Sequence, residues 1–180
     1  MAKGQARDRA RSDESQGGLT AALVGAAAGV VGTMVLDAVD WFLWDHEDPA
    51  ARQRTTAVRP RGEPPADVLV GRVEDALGAE VSPETHGRLG VATHYAIGIG
   101  PAVLYGLFRD RLPVDGVPRG ALYGAALWLM QDEVLNTVTG LGAKPQDYPW
   151  QAHARGLVAH VAYGIATELA MEAAERIRRR

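Results

Sequence analysis

Apolar residues gather in four blocks along the chain, and charged stretches separate them. The first block, residues 19–39, has 21 residues and Asp37 as its only charged side chain. At a rise of 1.5 Å per residue, a helix of that length covers the roughly 30 Å hydrocarbon core of a bilayer. The second block, residues 89–108, contains His94 and no Asp, Glu, Lys or Arg. These two blocks predict membrane-spanning helices.

The third and fourth blocks are apolar but interrupted. The second half of residues 119–141 includes Gln131, Asp132, Glu133 and Asn136. Residues 154–171 contain Arg155, His160 and Glu168. Hydropathy alone makes both blocks marginal spans. Glu168 lies toward the end of its block, where we expect its carboxylate to reach water.

An internal repeat supports the two marginal blocks. An offset of 99 residues places the ALVGAA run at 22–27 on the ALYGAA run at 121–126, and Asp37 on Asn136. An offset of 66 places His94 on a second histidine with the same glycine pattern. The sequence therefore predicts an all-α, integral membrane four-helix bundle made of two tandem helical-hairpin repeats. Chance similarity between Ala- and Gly-rich helices is the alternative.

Charge divides the chain and orients it. Residues 1–18, rich in Arg, Asp, Ser, Gln and Gly, are predicted to be a disordered cytoplasmic N-terminus. Residues 19–180 then form a single four-span membrane domain. With the N-terminus inside, the cytoplasmic segments hold 11 Lys and Arg and the outer segments hold 8. Because long loops count little in the positive-inside rule, we predict that both termini are cytoplasmic, N-in and C-in.

Residues 45–87 form the predicted outer loop. Its charged, Pro-rich part up to residue 65 is expected to be irregular and solvated. A short amphipathic helix then covers residues 67–77 and ends at Gly78, which suits a left-handed C-cap. One apolar face of this helix contains Leu69, Val70, Val73 and Leu77. Ser82 followed by Pro83 predicts the start of the second long helix.

Glycine and histidine recur in one pattern on two helices. Gly-xxx-His-xxx-Gly occurs at Gly90, His94 and Gly98 and again at Gly156, His160 and Gly164. Residues four apart share a helix face, so each imidazole is expected to face the interior where a neighbouring backbone approaches. A structural hydrogen bond is the favoured role, and a protonatable pair is the alternative. Four further glycines predict helix packing within one bundle or between copies of the chain: Gly25, Gly29, Gly120 and Gly124.

The hairpin arrangement places polar residues at one depth. Two spans run outward and end near Asp37 and Asn136, while the other two run inward and carry the histidines just below the same surface. The candidate proton-relay cluster therefore comprises Asp37, His94, Asp132, Glu133, Asn136 and His160. A histidine beside a carboxylate changes charge in mildly acidic conditions, which predicts a pH-sensitive helix contact. A metal site is less favoured, because no Glu-x-x-His spacing occurs.

Composition excludes several function classes. The chain has no cysteine, which excludes thiol nucleophiles, iron–sulfur clusters and disulfide scaffolds. A net charge of −3 provides no overall basic surface for nucleic acid. Serines occur only at positions 12, 15 and 82, and none lies in a nucleophile elbow. We therefore expect a protein that is not an enzyme, with no cofactor, no resident metal and the lipid bilayer as its partner.

The spans resemble the YagU-like inner-membrane proteins of bacteria. The matching features are Ala28-Gly29-Val30-Val31-Gly32-Thr33 with Asp37, His94 with its glycines, Trp128 with Asp132-Glu133, and His160-x-x-Tyr163-Gly164. The resemblance covers most of the four spans and adds Tyr163 to the polar cluster. It implies a multi-pass protein of the bacterial inner (cytoplasmic) membrane that is associated with acid resistance and has no established enzyme chemistry.

Three functions remain open on these grounds. The leading hypothesis is a non-enzymatic membrane protein that senses or relays protons through an outward-facing histidine and carboxylate layer. The first alternative is a channel or transporter subunit that works as a homo-oligomer, since four short spans enclose little space. The second is a soluble helical bundle with a histidine and carboxylate metal site, which would not need detergent.

Overall fold

The computed structural model describes residues 16–180 in full and, of residues 2–15, only the course of the first helix. In this part of the chain every regular element is helical. The main elements are α1 (Ala2–His46), α2 (Pro49–Val58), α3 (Pro65–Leu77), α4 (Pro83–Phe108), α5 (Gly116–Trp128), a π-helical segment (Leu129–Leu135), α6 (Asn136–Val138) and α7 (Trp150–Arg178). The predicted disorder of residues 1–18 concerns residues that lie mostly outside the fully described part and stays a prediction.

Four long elements form the bundle. Helix α1 packs against α4 and against α7, and α5 packs against α7. Helices α4 and α5 meet mainly through side chains. The Tyr105 and Tyr123 rings stack with their centroids 4.0 Å apart, and the Gln131 amide donates to the Ile97 carbonyl at 3.3 Å. The bundle is therefore closed on the α1–α7 side and open between α4 and the π-helical segment.

Glycines set the close helix contacts. A Cβ atom on Gly25 of α1 would lie 2.9 Å from the Val103 Cα atom of α4. A Cβ atom on Gly120 of α5 would lie 2.7 Å from the Gly164 carbonyl oxygen of α7. Real Cβ atoms do not approach backbone this closely, so a larger residue at either position would force the helices apart. Gly29 and Gly124 lie at the same two interfaces.

The bundle places large apolar side chains outside and charged side chains inside. Leu23, Val91 and Leu122 are 63%, 60% and 60% exposed on three different helices. By contrast, the buried set includes Arg119 and Glu168. A domain that folds in water has the opposite arrangement.

Two helical stretches are long and apolar enough to cross a membrane. They are Gln16–His46 and Pro83–Arg111, and they contain the first two blocks predicted as spans. Among the described residues, α5, which has 13 residues, and α7, which contains several charged side chains, are not among these stretches. Two of the four predicted spans therefore meet this measure of length and hydropathy.

The predicted loop contains more structure than expected. Residues 49–58, predicted to be irregular, form α2, which begins at Pro49 after an Asp48 side chain that accepts the Ala50 N–H at 3.0 Å. Asp-Pro is a favourable start for a helix, with an N-capping side chain and a proline at the first position. That pair is the sequence signal for α2.

Helix α3 ends as predicted but turns a different face inward. Gly78 adopts the left-handed conformation, with φ at 61°. Val70 is buried as expected, but Val73 and Leu77 are 49% and 75% exposed, and Val68 is buried in their place. Helix α3 packs against α4 with Asp67 over Gly90, which has no side chain in the way. Helical spacing in the sequence does not predict this contact, and the contact determines which face of α3 is buried.

The segment that connects α1 to α4 and the segment that connects α5 to α7 lie at the same end of the bundle. Arg72 of α3 donates to the carbonyls of Thr139 and Gly140, at 2.6 Å each. We call this the loop end, since it contains residues 47–82 and 139–149. The opposite end carries the turn between α4 and α5 and the C-terminus, and we call it the terminus end. Helix α4 begins at the loop end, where the Ser82 hydroxyl accepts the Thr85 N–H at 3.2 Å, as predicted.

Candidate functional site

A central cavity of about 550 Å³ opens between α4 and the π-helical segment, with α1 and α7 as its floor. Its walls are mostly apolar. Five of the seven residues predicted for the polar cluster line it: His94, Asp132, Asn136, His160 and Tyr163. The remaining two, Asp37 and Glu133, contact histidines beside it. The bundle thus brings the predicted residues to one region.

The first histidine pair joins α1 to α4. The His94 Nε2–H donates to the Asp37 carboxylate at 2.8 Å, and the two side chains are 40% and 33% exposed. Because the contact is partly open to its surroundings, protons can reach the imidazole from the cavity. A charged imidazole would strengthen this contact, and a neutral one would leave a single hydrogen bond.

The second histidine pair joins α7 to the π-helical segment. His160 is 8% exposed, its Nδ1–H donates to the Gly156 carbonyl at 2.9 Å, and the Asp132 carboxylate lies 3.7 Å away. The carbonyl contact assigns the hydrogen to Nδ1 and leaves Nε2 free to take a proton. Asp132, not Asn136, is therefore the counterpart of Asp37. Asp132 lies one helical turn before Asn136, the residue that the 99-residue offset aligns with Asp37.

A π-helix places Asp132 beside His160. Leu129–Leu135 has a wider turn than an α-helix, and π-helical turns inside α-helices are frequent at functional sites. Gln131 and Asp132 face the central cavity, while the adjacent Glu133 lines a second cavity. Nothing in the residue pattern of 129–135 predicts the wider turn.

The second cavity, of about 140 Å³, lies at the loop end, and many of the side chains that line it are polar or charged. His153 contacts the Glu133 carboxylate through Nδ1 at 2.6 Å and the Pro145 carbonyl through Nε2 at 3.0 Å. Both ring nitrogens thus face acceptors, an arrangement that suits a doubly protonated imidazole. The sequence reasoning missed His153, because it lies in the first turn of α7 outside the repeated motif.

Three tyrosines continue the polar groups toward the terminus end. The Tyr163 hydroxyl, on a side chain that is 1% exposed, donates to the Gly98 carbonyl at 2.6 Å. It also lies 3.3 Å from the Tyr123 hydroxyl. Tyr123 stacks on Tyr105, whose hydroxyl donates to the Glu168 carboxylate at 2.5 Å. A column of polar groups therefore runs from the central cavity to Glu168.

Glu168 is the centre of an ion cluster that the sequence analysis missed. Its side chain is fully buried, which corrects the expectation that it reaches water. Arg109 and Arg119 each donate to its carboxylate, at 2.7 and 2.5 Å. The two arginines are also nearly buried. A buried carboxylate is tolerated here because two guanidinium groups surround it.

A matching cluster lies at the loop end of α7. Arg155 donates to Asp40 at 2.9 Å and also to Glu47, and its guanidinium lies 4.7 Å from the centre of the Trp44 ring. Helix α7 thus carries a buried cation at one end and a buried anion at the other. No group of three His, Asp or Glu side chains in the fully described region is placed to hold a metal ion.

The chain was compared with protein-family models, curated proteins and solved structures, and no match was found in any of the three.

Proposed function

We propose that the chain is a four-span membrane protein whose central cavity carries a pH-responsive layer of two histidine and carboxylate pairs. The observation that carries the proposal is the convergence of Asp37–His94 and Asp132–His160 around one cavity. Each pair joins two different helices, so a change of charge acts directly on helix packing. The protein is proposed to act without catalysis.

The exposed surface supports the membrane part of the proposal. Helices α5 and α7 are interrupted by charges, but those charges point inward: Arg119, His160 and Glu168 are all buried. The outward residues are apolar, with Leu129 and Met130 54% and 53% exposed and Val158 49% exposed. In hydrocarbon, ionisable groups are stable only when they face the bundle and have partners. Both helices satisfy that requirement.

The orientation follows from the distribution of Lys and Arg, with both termini inside. The loop end then faces outward, and acid reaches the two pairs through the loop-end side of the cavity. Trp41 and Trp150, 64% and 72% exposed near the loop end, suit the outer interface. Membership of the YagU-like family and a role in acid resistance belong to the same proposal, and both rest on the residue resemblance.

The channel or transporter alternative has support from the polar column. Tyr163, Tyr123 and Tyr105 connect the cavity to the Glu168 cluster at the terminus end. Proton movement along this route would require the Tyr123 hydroxyl to leave its stacked position, because Tyr105 and Tyr123 meet through rings. Flux of protons into liposomes containing the purified protein would distinguish relay from sensing.

The pH response is tested by a distance measurement. Spin labels on cysteines at Met130→Cys and Val158→Cys report the spacing between the π-helical segment and α7, and the chain has no cysteine of its own. A charged His160 imidazole attracts the Asp132 carboxylate more strongly than a neutral one does. We therefore expect a shorter label distance at pH 5 than at pH 8.

Variants of the two histidines identify the responsible group. His160→Gln should abolish the change in label distance, and His94→Gln should reduce it. His46→Gln is the matched control. His46 is also on a long helix, but it is exposed, and its ring hydrogen-bonds to the Phe42 carbonyl one turn earlier on the same helix. A pH-dependent distance that persists in the double variant His94→Gln/His160→Gln would overturn the proposal.

A further inference from the structure

The loop-end cavity has room for a small metabolite. Its volume of about 140 Å³ corresponds to roughly five water molecules, at about 30 Å³ each in the liquid. Its walls come from α1, the end of α2, the π-helical segment and the first turns of α7. Asp40, Asp132 and Asn136 line both this cavity and the central one, so the two spaces share a wall.

Most charged groups in this cavity are already paired. Asp40 accepts from Arg155 at 2.9 Å, and Glu133 contacts His153 at 2.6 Å. These pairs hold the walls in place and leave little capacity for a ligand. The remaining charged groups, Arg59 and Asp132, decide what the cavity can bind.

Arg59 is a cation without a partner among the fully described residues. It forms no ion pair or hydrogen bond there and lies over the Trp44 ring, 5.7 Å from the ring centre. Burial, together with the neighbouring Arg155 guanidinium, lowers the pKa of Arg59 below its ordinary value. Arginine remains charged nonetheless, so the cavity has a positive charge with no ion-pair partner among the fully described residues. A carboxylate would satisfy it through two parallel hydrogen bonds.

Two further groups lack hydrogen bonds. The Trp128 Nε1–H is buried and has no acceptor. Asp132 forms no hydrogen bond within the fully described region, and its nearest charged neighbour is the His160 ring at 3.7 Å. Arg59 and Asp132 do not pair with each other, although both line the cavity. A donor set and an acceptor thus stand in one cavity with space between them.

We infer that the loop-end cavity binds a small zwitterion that carries one carboxylate and one ammonium group. The carboxylate accepts from the Arg59 guanidinium and the Trp128 Nε1–H, and the ammonium donates to the Asp132 carboxylate. A molecule of the size of glycine or β-alanine fits the volume. This inference goes beyond the proposed function and does not depend on how the helices lie in a membrane.

Calorimetric titration of the purified full-length protein in detergent tests the inference. The probes are glycine and β-alanine, which differ in the distance between their charges, together with acetate and methylammonium, each of which carries one charge. At least one zwitterion should bind about tenfold or more tightly than either single-charge probe, since each charged hydrogen bond contributes appreciably.

Three variants and a control assign the contacts. Arg59→Gln and Asp132→Asn should each weaken zwitterion binding about tenfold or more. Arg59→Lys keeps the charge and should recover part of the affinity. Arg52→Gln is the matched control, because Arg52, on α2, also lies over the Trp44 ring, at 6.0 Å, but does not line the cavity. Melting curves of all four variants establish that they fold.

The inference is wrong if neither glycine nor β-alanine gives saturable binding. It is equally wrong if both bind no better than acetate or methylammonium, or if Arg59→Gln and Arg52→Gln behave alike. The label-distance experiment at Met130 and Val158 does not involve these probes. The two experiments can therefore refute the pH-responsive layer and the zwitterion site independently.

Discussion

Single charged side chains in this protein are placed by partners that are distant in sequence. Glu168 is paired with Arg109 and Arg119, which lie 59 and 49 residues earlier. Hydropathy registers each of the three as a polar interruption, and only the folded chain shows that they neutralise each other. The Asp37–His94 pair was accessible to prediction, because a repeated glycine pattern placed the histidine on an inward face. The Glu168 cluster has no such local signal.

Replacing Glu168 tests the cost of breaking its cluster. Glu168→Gln removes the buried carboxylate that Arg109 and Arg119 share and leaves them only more exposed partners, Glu175 and Asp115 among them. It should lower the free energy of unfolding by about 3 kcal/mol or more. Denaturation of the purified protein in mixed micelles measures the change.

Glu172→Gln on the same helix is the control. Glu172 pairs with Arg176 one turn away, and that arginine is 71% exposed. An exposed pair of this kind contributes no more than about 0.5 kcal/mol. Equal losses in the two variants would mean that the buried cluster has no special role in stability.

At the scale of elements, the long helices followed from the hydrophobic pattern and the irregular ones did not. The bounds of α4 follow from Ser82, Pro83 and an apolar run. The π-helical segment must place Asp132 against both cavities and Glu133 against the loop-end cavity. This requirement comes from tertiary packing, and residues 129–135 alone do not express it.

Glycine substitutions test helix packing. Gly124→Ala adds a Cβ atom 2.8 Å from the His160 carbonyl carbon, so α5 must move away from α7. We expect a loss of about 1–3 kcal/mol in the free energy of unfolding. Gly100→Ala, on the exposed side of α4 with nothing within 4 Å, should instead gain up to about 1 kcal/mol. Losses of the same size in both variants would argue against close packing of α5 and α7.

Shortening the π-helical segment tests its role. Deletion of the exposed Met130 removes the extra residue and rotates the following residues by about 100° relative to α5. Asp132 should then leave the cavity, and the label distance, measured between cysteines at Leu129 and Val158, should no longer depend on pH. An unchanged pH response in the deletion variant would show that the wider turn does not position Asp132.

At the scale of the whole molecule, the distribution of apolar surface determines the environment. The sequence predicted an all-α protein, which is confirmed for the described residues, and its two most apolar blocks lie in helices that are long and apolar enough to cross a membrane. Hydropathy could not settle α5 and α7, because it averages around a helix and cannot separate an inward charge from an outward one. The internal repeat stays a prediction, and its register differs from the contacts seen at Asp132.

Cysteine labelling tests the four-span arrangement. The chain has no cysteine, so single substitutions Arg61→Cys and Arg178→Cys can be labelled without background. In intact cells, a membrane-impermeant maleimide should label position 61 and reach position 178 only after lysis. Labelling of both positions in intact cells, or recovery of the unlabelled protein in the soluble fraction, would contradict the arrangement.

Helix α7 carries Arg155 and Glu168 thirteen residues apart, which is about 20 Å along the helix axis. A bilayer has a hydrocarbon core of about 30 Å. In the proposed arrangement, the two ion clusters therefore lie at the depth of the acyl chains and below the headgroups. The length of the lipid chains then affects the depth of both clusters and the tilt of α7. Shorter chains bring both clusters toward the interfaces and favour a tilted α7, whereas longer chains surround the clusters with hydrocarbon and favour an upright α7.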